Sequence, residues 1–140
     1  MEFNFFSKNG KILEVAEATI SLMSIEYAYG FGVYESIRVN GKKPEFLEDH
    51  IKRLLKSAEI INLGHVLTYE NIKKYIEEVT EHTKEETYNI KLMLIGAAKP
   101  EDADFYIFCS APLFPDRKLY RDGAEVMTVN FERAYPQAKT

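Results

Sequence analysis

"GFGVYESIRVNGKKPEFLEDHIKRLLKSAEIINL", residues 30–63, changes its period halfway along. In the first part side chains alternate: Tyr34, Ser36 and Arg38 share one side of an extended chain, and Val33, Glu35, Ile37 and Val39 the other. Asn40-Gly41 then supplies a hairpin turn, because both residues tolerate positive φ. Pro44 has no backbone donor, which confines the returning strand to a sheet edge or to a very short length. From Phe46 to Asn62 the apolar residues Leu47, Ile51, Leu54, Leu55, Ala58 and Ile61 recur at three- and four-residue spacing, the stripe of an amphipathic helix, and Gly64 is placed to stop it. A strand hairpin leading straight into such a helix predicts an α+β fold, an antiparallel sheet with helices packed on it.

The same devices recur on both sides. Upstream, "FNFFSKNGKILEV" (3–15) sets Asn9-Gly10 between two apolar segments, a second hairpin. Downstream, Thr68 is placed as the N-cap of a second helix whose stripe is Ile72, Tyr75, Ile76 and Val79. Two more strands, "YNIKLMLIG" (88–96) and "DFYIFCSA" (104–111), flank a turn at Pro100-Glu101-Asp102. "PLFPDRKLYRDG" (112–123) has the prolines, charges and glycine of a linker. "AEVMTVNFERAYPQAKT" (124–140) begins as one strand with nothing to pair with. The expected organisation is a small α+β domain over 1–112, a linker over 113–123, and over 124–140 the truncated start of a larger domain.

Composition limits the function. A chain of 140 residues with 46% hydrophobic and 29% charged residues has apolar material for one ordinary core. The net charge of −4 and the lack of basic runs argue against a nucleic-acid partner. No apolar stretch approaches the roughly 20 residues of a membrane span, and "MEFNFFSKNG" lacks the basic flank and apolar run of a signal peptide. Cys109 is the only cysteine, which rules out an intrachain disulfide and fits a reducing cytoplasm.

Candidate chemistry is sparse. Gly30 and Gly32 lack the third glycine of a dinucleotide fingerprint, and His50, His65 and His82 have no metal-ligand spacing. His50 and Arg53 share a helix face at the flank of the apolar stripe, with Ser57 beside them. A guanidinium there can reach over a core edge and grip a phosphate with its fork of donors. Lys139 lies in "AYPQAKT", among small and apolar neighbours; an amine in such a setting has a lowered pKa and adds readily to an aldehyde.

Residues 29–63, together with the "IKLMLIG" strand and the terminal Pro-x-x-Ala-Lys-Thr, closely resemble the signature of the fold-type IV pyridoxal-phosphate enzymes, the class IV aminotransferases. That family includes branched-chain and D-amino-acid aminotransferases and 4-amino-4-deoxychorismate lyase. The resemblance implies that Lys139 is the lysine whose amine joins the aldehyde of pyridoxal 5'-phosphate. It further implies that Arg53, with His50 beside it, meets the cofactor phosphate, and that Tyr29, Tyr34 and Arg38 line the substrate side. Lys91 stands where branched-chain aminotransferases usually carry an arginine for a substrate carboxylate; lysine offers a point charge and no bidentate fork. Phe31 replaces an aspartate common in the glycine turn of relatives, and an exposed phenylalanine there calls for a cover from a neighbouring chain or domain.

The implied reaction is amino-group transfer between amino acids and 2-oxo acids in a cytoplasmic homodimer, with pyridoxal phosphate and no metal. Two alternatives stand beside it: an aminodeoxychorismate-type lyase, and a small domain that folds without catalysing. Glu35 favours the transferase mildly, since some lyases place threonine there. By the same resemblance the partner of the cofactor's ring nitrogen and a second phosphate cradle lie after Thr140. A chain of this length is then expected to be inactive alone, with Lys139 exposed and "PQAKT" without a sheet partner.

Overall fold

Six strands and four α-helices follow one another in the computed structural model, which describes residues 2–140, with short 3-10 turns at Val15–Glu17 and Pro100–Asp102. They are β1 (Phe5–Lys8), β2 (Lys11–Glu14), α1 (Ile25–Ala28), β3 (Gly32–Asn40), β4 (Lys43–Pro44), α2 (Leu47–Ile60), α3 (Tyr69–His82), β5 (Tyr88–Ile95), β6 (Asp104–Ser110) and α4 (Arg117–Asp122). The strands form one sheet in the order β2-β1-β6-β5-β3-β4, antiparallel throughout. The expected α+β architecture is therefore present, and β4 is the two-residue edge strand that Pro44 demands.

Alternation along the strands divides the sheet into two unlike faces. Val33, Ile37, Ile90, Leu92, Phe105 and Ile107 point to the side covered by α2 and α3. Against them α2 sets Ile51, Leu54 and Ala58, and α3 sets Ile72, Ile76 and Val79, all buried. Each such large aliphatic side chain contributes about 1.5–3 kcal/mol on burial, which makes this layer the source of the fold's stability. The opposite face carries Tyr34, Arg38, Lys91 and Phe108; Lys91 lies across from Ser36 on β3 and from Phe108 on β6.

The turns show where local chemistry was decisive. At the first hairpin Asn9 and Gly10 take φ of 52° and 84°, as the Asn-Gly pair predicts. The Asn9 side chain accepts from the Phe105 N–H at 2.7 Å, tying that turn to β6. At the second hairpin the positive φ values fall on Gly41 and Lys42, one residue later than expected, because Asn40 still pairs with Lys43. Lys42 is held there by its N–H donating to the Glu86 carbonyl at 3.1 Å. Helix α2 likewise ends before Gly64. Asn62 takes the left-handed conformation at φ 54°, and the Asn62 and Leu63 N–H groups donate back to Glu59 and Ala58. Gly64 has another use: a Cβ there would come within 2.9 Å of the Pro100 ring. Thr68 caps α3 as expected, its hydroxyl accepting from the Asn71 N–H while the Asn71 side chain accepts from Thr68.

Beyond β6 two expectations change. The linker contains a short helix, α4, capped by Asp116 accepting from the Lys118 N–H at 2.7 Å. Residues 124–133 form no strand, and Val126, Met127, Val129 and Phe131 are all exposed. A segment of strand composition needs a partner edge to pair with, and residues 124–133 pair with none; the chain meets the free edge of β3 only later, at Lys139. The Phe31 ring packs on Gly96, where a Cβ would meet it, and its carbonyl accepts from the Gly96 N–H at 3.0 Å, but the side chain stays 38% exposed.

Candidate active site

Glu35 stands out because alternation sends it to the wrong side. It lies between Val33 and Ile37 on the helix-covered face of β3 and is 0% exposed. A carboxylate in that position must be paired or it would neutralise. Helix α2 supplies the partners: Arg53 donates from Nε to Oε1 and from Nη2 to Oε2, both at 2.5 Å, and His50 Nδ1 lies 2.8 Å from Oε2. Their three-residue spacing turns both side chains toward the same strand. Burial pushes the Glu35 carboxyl up, but the hydrogen bonds from Arg53 and His50 and the charges of Lys139 and Arg53 outweigh it, holding the group below its ordinary value of 4.5. Glu35 is thus an anion at neutral pH with three cationic or donor groups around it.

Lys139 reaches this anion from the far end of the chain. Every residue from Leu113 to Gln137 is exposed, and then Ala138 is 2% exposed. The Lys139 N–H donates to Ser57 Oγ at 3.1 Å, its carbonyl accepts from the Tyr34 N–H at 3.0 Å, and Arg133 donates to the Ala138 carbonyl at 3.2 Å. The Lys139 side chain is 32% exposed, with Nζ 3.5 Å from Glu35 Oε2 and 5.2 Å from the centroid of the Tyr34 ring. The expectation of an ordinary exposed lysine on a tail with no sheet partner is therefore corrected: β3 offers its free edge at Tyr34, and α2 offers the Ser57 hydroxyl.

The other candidates fall at graded distances from this cluster. Tyr34 is central, because Lys91 Nζ also lies 5.1 Å from its ring centroid, which places both amines at one aromatic ring. Arg38 is further along β3, with its guanidinium carbon 4.9 Å from the Phe114 ring centroid. Tyr29, at the end of α1, is 83% exposed and makes no side-chain hydrogen bond among the described residues. Glu35 was visible in the sequence only as the one acid on an apolar strand face, and Ser57 only as a neighbour of Arg53.

The donor chemistry fits a phosphorylated aldehyde. Arg53 spends Nε and Nη2 on Glu35, while both N–H groups of Nη1 have no partner among the described residues. With the side chain 50% exposed, these donors are open to an anion from outside, and the Lys139 amine lies on the same carboxylate. No group of three His, Cys, Asp or Glu side chains that could hold a metal occurs among the described residues. Cys109 is buried in the core, and burial pushes its thiol up to about 12, which leaves it unreactive as a nucleophile.

Known proteins resemble this chain in sequence and fold. The family model for class IV aminotransferases matches residues 32–140. A probable branched-chain-amino-acid aminotransferase of Aquifex aeolicus is 34% identical over 91 residues, 61% of this chain and 26% of that protein. A D-alanine aminotransferase of Bacillus licheniformis is 32% identical over 73 residues, 52% of this chain and 26% of that protein. Among solved structures, the branched-chain aminotransferase of Thermoproteus uzoniensis superimposes with a TM-score of 0.67 at 27% identity, over 76% of this chain and 40% of that one. The chain spans about a quarter of the length of these two curated relatives. With the family model covering all but the first 31 residues, the chain belongs to the class IV aminotransferases.

Proposed function

We propose that this chain carries the lysine and one phosphate grip of a pyridoxal-phosphate-dependent transferase that moves amino groups between amino acids and 2-oxo acids, of branched-chain or D-amino-acid type. The observation that supports it is the convergence of Lys139 and Arg53 on the buried Glu35, with the Tyr34 ring beside the Lys139 amine. Pyridoxal phosphate, when bound, supplies an aldehyde and an electron-withdrawing ring that stabilises negative charge at the amino acid's α-carbon. The protein's share is position and proton handling. Arg53 Nη1 holds the phosphate while Nε and Nη2 stay fixed to Glu35, so the fork is braced on one side and open on the other. Lys139 Nζ takes the α-proton, and the Glu35 carboxylate and the Tyr34 ring stabilise the ammonium that results. Lys91 faces the same ring and meets the substrate carboxylate as a point charge. Arg38 and Tyr29 complete the substrate side with groups from beyond this cluster.

The test is borohydride trapping with pyridoxal phosphate followed by peptide mapping. Lys139 should be tagged ahead of exposed lysines such as Lys56 and Lys74, and Arg53→Ala should abolish that preference. Even tagging of all lysines would refute the assignment. Half-reactions with L-leucine and with D-alanine, followed by absorbance, then separate the two substrate types. Pyruvate release from aminodeoxychorismate would move the assignment to a lyase.

The same reading makes residues 1–112 the small domain, 113–123 the linker and 124–140 the entry to a larger domain. It places the enzyme in the cytoplasm, in keeping with its one buried thiol, and makes it a homodimer. Exposed Leu22, Met23, Ile25 and Tyr29 give an apolar surface for the second copy. Sedimentation showing only monomer at micromolar concentration would reject the dimer.

A further inference from the structure

We propose that Ser57 is the positioning residue that seats Lys139, acting on its main chain and not on its amine. The inference rests on Lys139 being the reacting amine. Ser57 lies one helical turn beyond Arg53 on α2, and it is buried with its hydroxyl accepting the Lys139 N–H at 3.1 Å. On the other side of the same residue, the Tyr34 N–H donates to the Lys139 carbonyl at 3.0 Å. Both polar backbone groups of Lys139 are therefore held, one by a helix and one by a strand. Each anchor adjoins a member of the cluster: Ser57 is four residues from Arg53 on the same helix face, and Tyr34 is next to Glu35.

This arrangement solves a problem set by the lysine itself. Its stem is flexible and its amine must be free to react, so a side-chain contact cannot fix its place without blocking it. Holding the backbone fixes the origin of the stem, and the amine then falls 3.5 Å from Glu35 Oε2, where it makes one long hydrogen bond and keeps its other hydrogens. Ser57 and Ala138, the residue before Lys139, are both buried. Alanine would fit the same space but would leave the Lys139 N–H without its acceptor, and a hydrogen bond of this kind is lost in full when one partner is deleted.

Amide hydrogen exchange on the chain without cofactor tests the seat. In the wild type the Lys139 amide should exchange at least about tenfold more slowly than that of Val129 in the exposed segment. Ser57→Ala should remove most of that protection at Lys139 and speed exchange at Tyr34, with the Leu54 amide unchanged; Ser57→Thr, which keeps the hydroxyl, should behave as the wild type. Equal rates at Lys139 and Val129 in the wild type overturn the inference without any variant. So does full protection in Ser57→Ala, or equal loss in the alanine and threonine variants. Because no cofactor is present, failure here is distinct from failure of the trapping experiment: a protected Lys139 that is not tagged refutes the reaction, and a tagged Lys139 without protection refutes the seat.

Discussion

Arg53→Met asks how much of the fold depends on the pairing of Glu35. The substitution keeps most of the side chain's apolar stem and removes the guanidinium, stripping two hydrogen bonds from a carboxylate that is 0% exposed. Breaking a fully buried ion pair by deleting one partner typically costs about 3–5 kcal/mol. Two features reduce that here. The Arg53 side chain is 50% exposed, so its charge is partly screened by solvent, and His50 and Lys139 remain beside the carboxylate. The expected cost is about 2–3 kcal/mol, a substantial part of the roughly 5–15 kcal/mol that holds a domain folded. Urea denaturation at pH 7 followed by far-UV circular dichroism should show it as a fall in midpoint of about 1–2 M. The second arm is Glu35→Gln with Arg53→Met. Once the buried charge is gone the arginine has less to neutralise, so the double variant should be more stable than the sum of the single effects by about 1–2 kcal/mol. A midpoint shift below about 0.3 M for Arg53→Met, or strict additivity in the cycle, would show that Glu35 does not depend on its pairing and would refute the reasoning.

Acid should weaken the same cluster in a defined direction. The folded Glu35 carboxyl lies below 4.5, so its contribution to stability is complete above that pH and is lost as pH falls through the folded value; Glu35→Gln should flatten the acid limb of the stability profile relative to the wild type. Cys109, buried and pushed up to about 12, should resist thiol reagents in the native chain at pH 8 and react within seconds in urea; rapid native labelling would contradict its placement. Gly10→Ala adds a Cβ 2.2 Å from the Tyr75 ring at a φ of 84°, and should cost about 2–4 kcal/mol, of which pairing it with Tyr75→Ala recovers the steric part.

The layered fold was legible because period alone carries it. The switch from alternation at Val33–Val39 to the helical spacing of Ile51, Leu54 and Ala58 marks the sheet and its cover, and both survive in the structure. Turn positions were less legible. Asn40-Gly41 is the better turn by local preference, but Asn40 stays in the strand pairing and Lys42 takes the positive φ, held there by Glu86 far along the chain. The stop of α2 was misassigned for a similar reason, since Asn62 can take the left-handed conformation and Gly64 is required by Pro100. Of the site, His50 and Arg53 could be read from one helix face. Glu35 could not be given a role, because its partners come from α2 and from a lysine 104 residues away. The docking of Lys139 was missed altogether. It depends on a strand edge and a buried hydroxyl that no local pattern announces.

The bond from the Tyr34 N–H to the Lys139 carbonyl has a consequence for colloidal behaviour. β4 pairs with β3 only at Val39 and Asn40, which leaves the stretch from Gly32 toward Arg38 as an open margin of the sheet. Such a margin is a template on which another chain can lay a strand. Lys139 occupies the Tyr34 donor, and the Glu45 N–H occupies the Arg38 carbonyl, so two of the hooks on that margin are already taken. The segment that brings the amine to Glu35 is thus also a guard against unwanted strand addition. Any change that frees it, whether acid or the loss of the Ser57 hydroxyl, should raise the rate of aggregation along with its effect on the lysine.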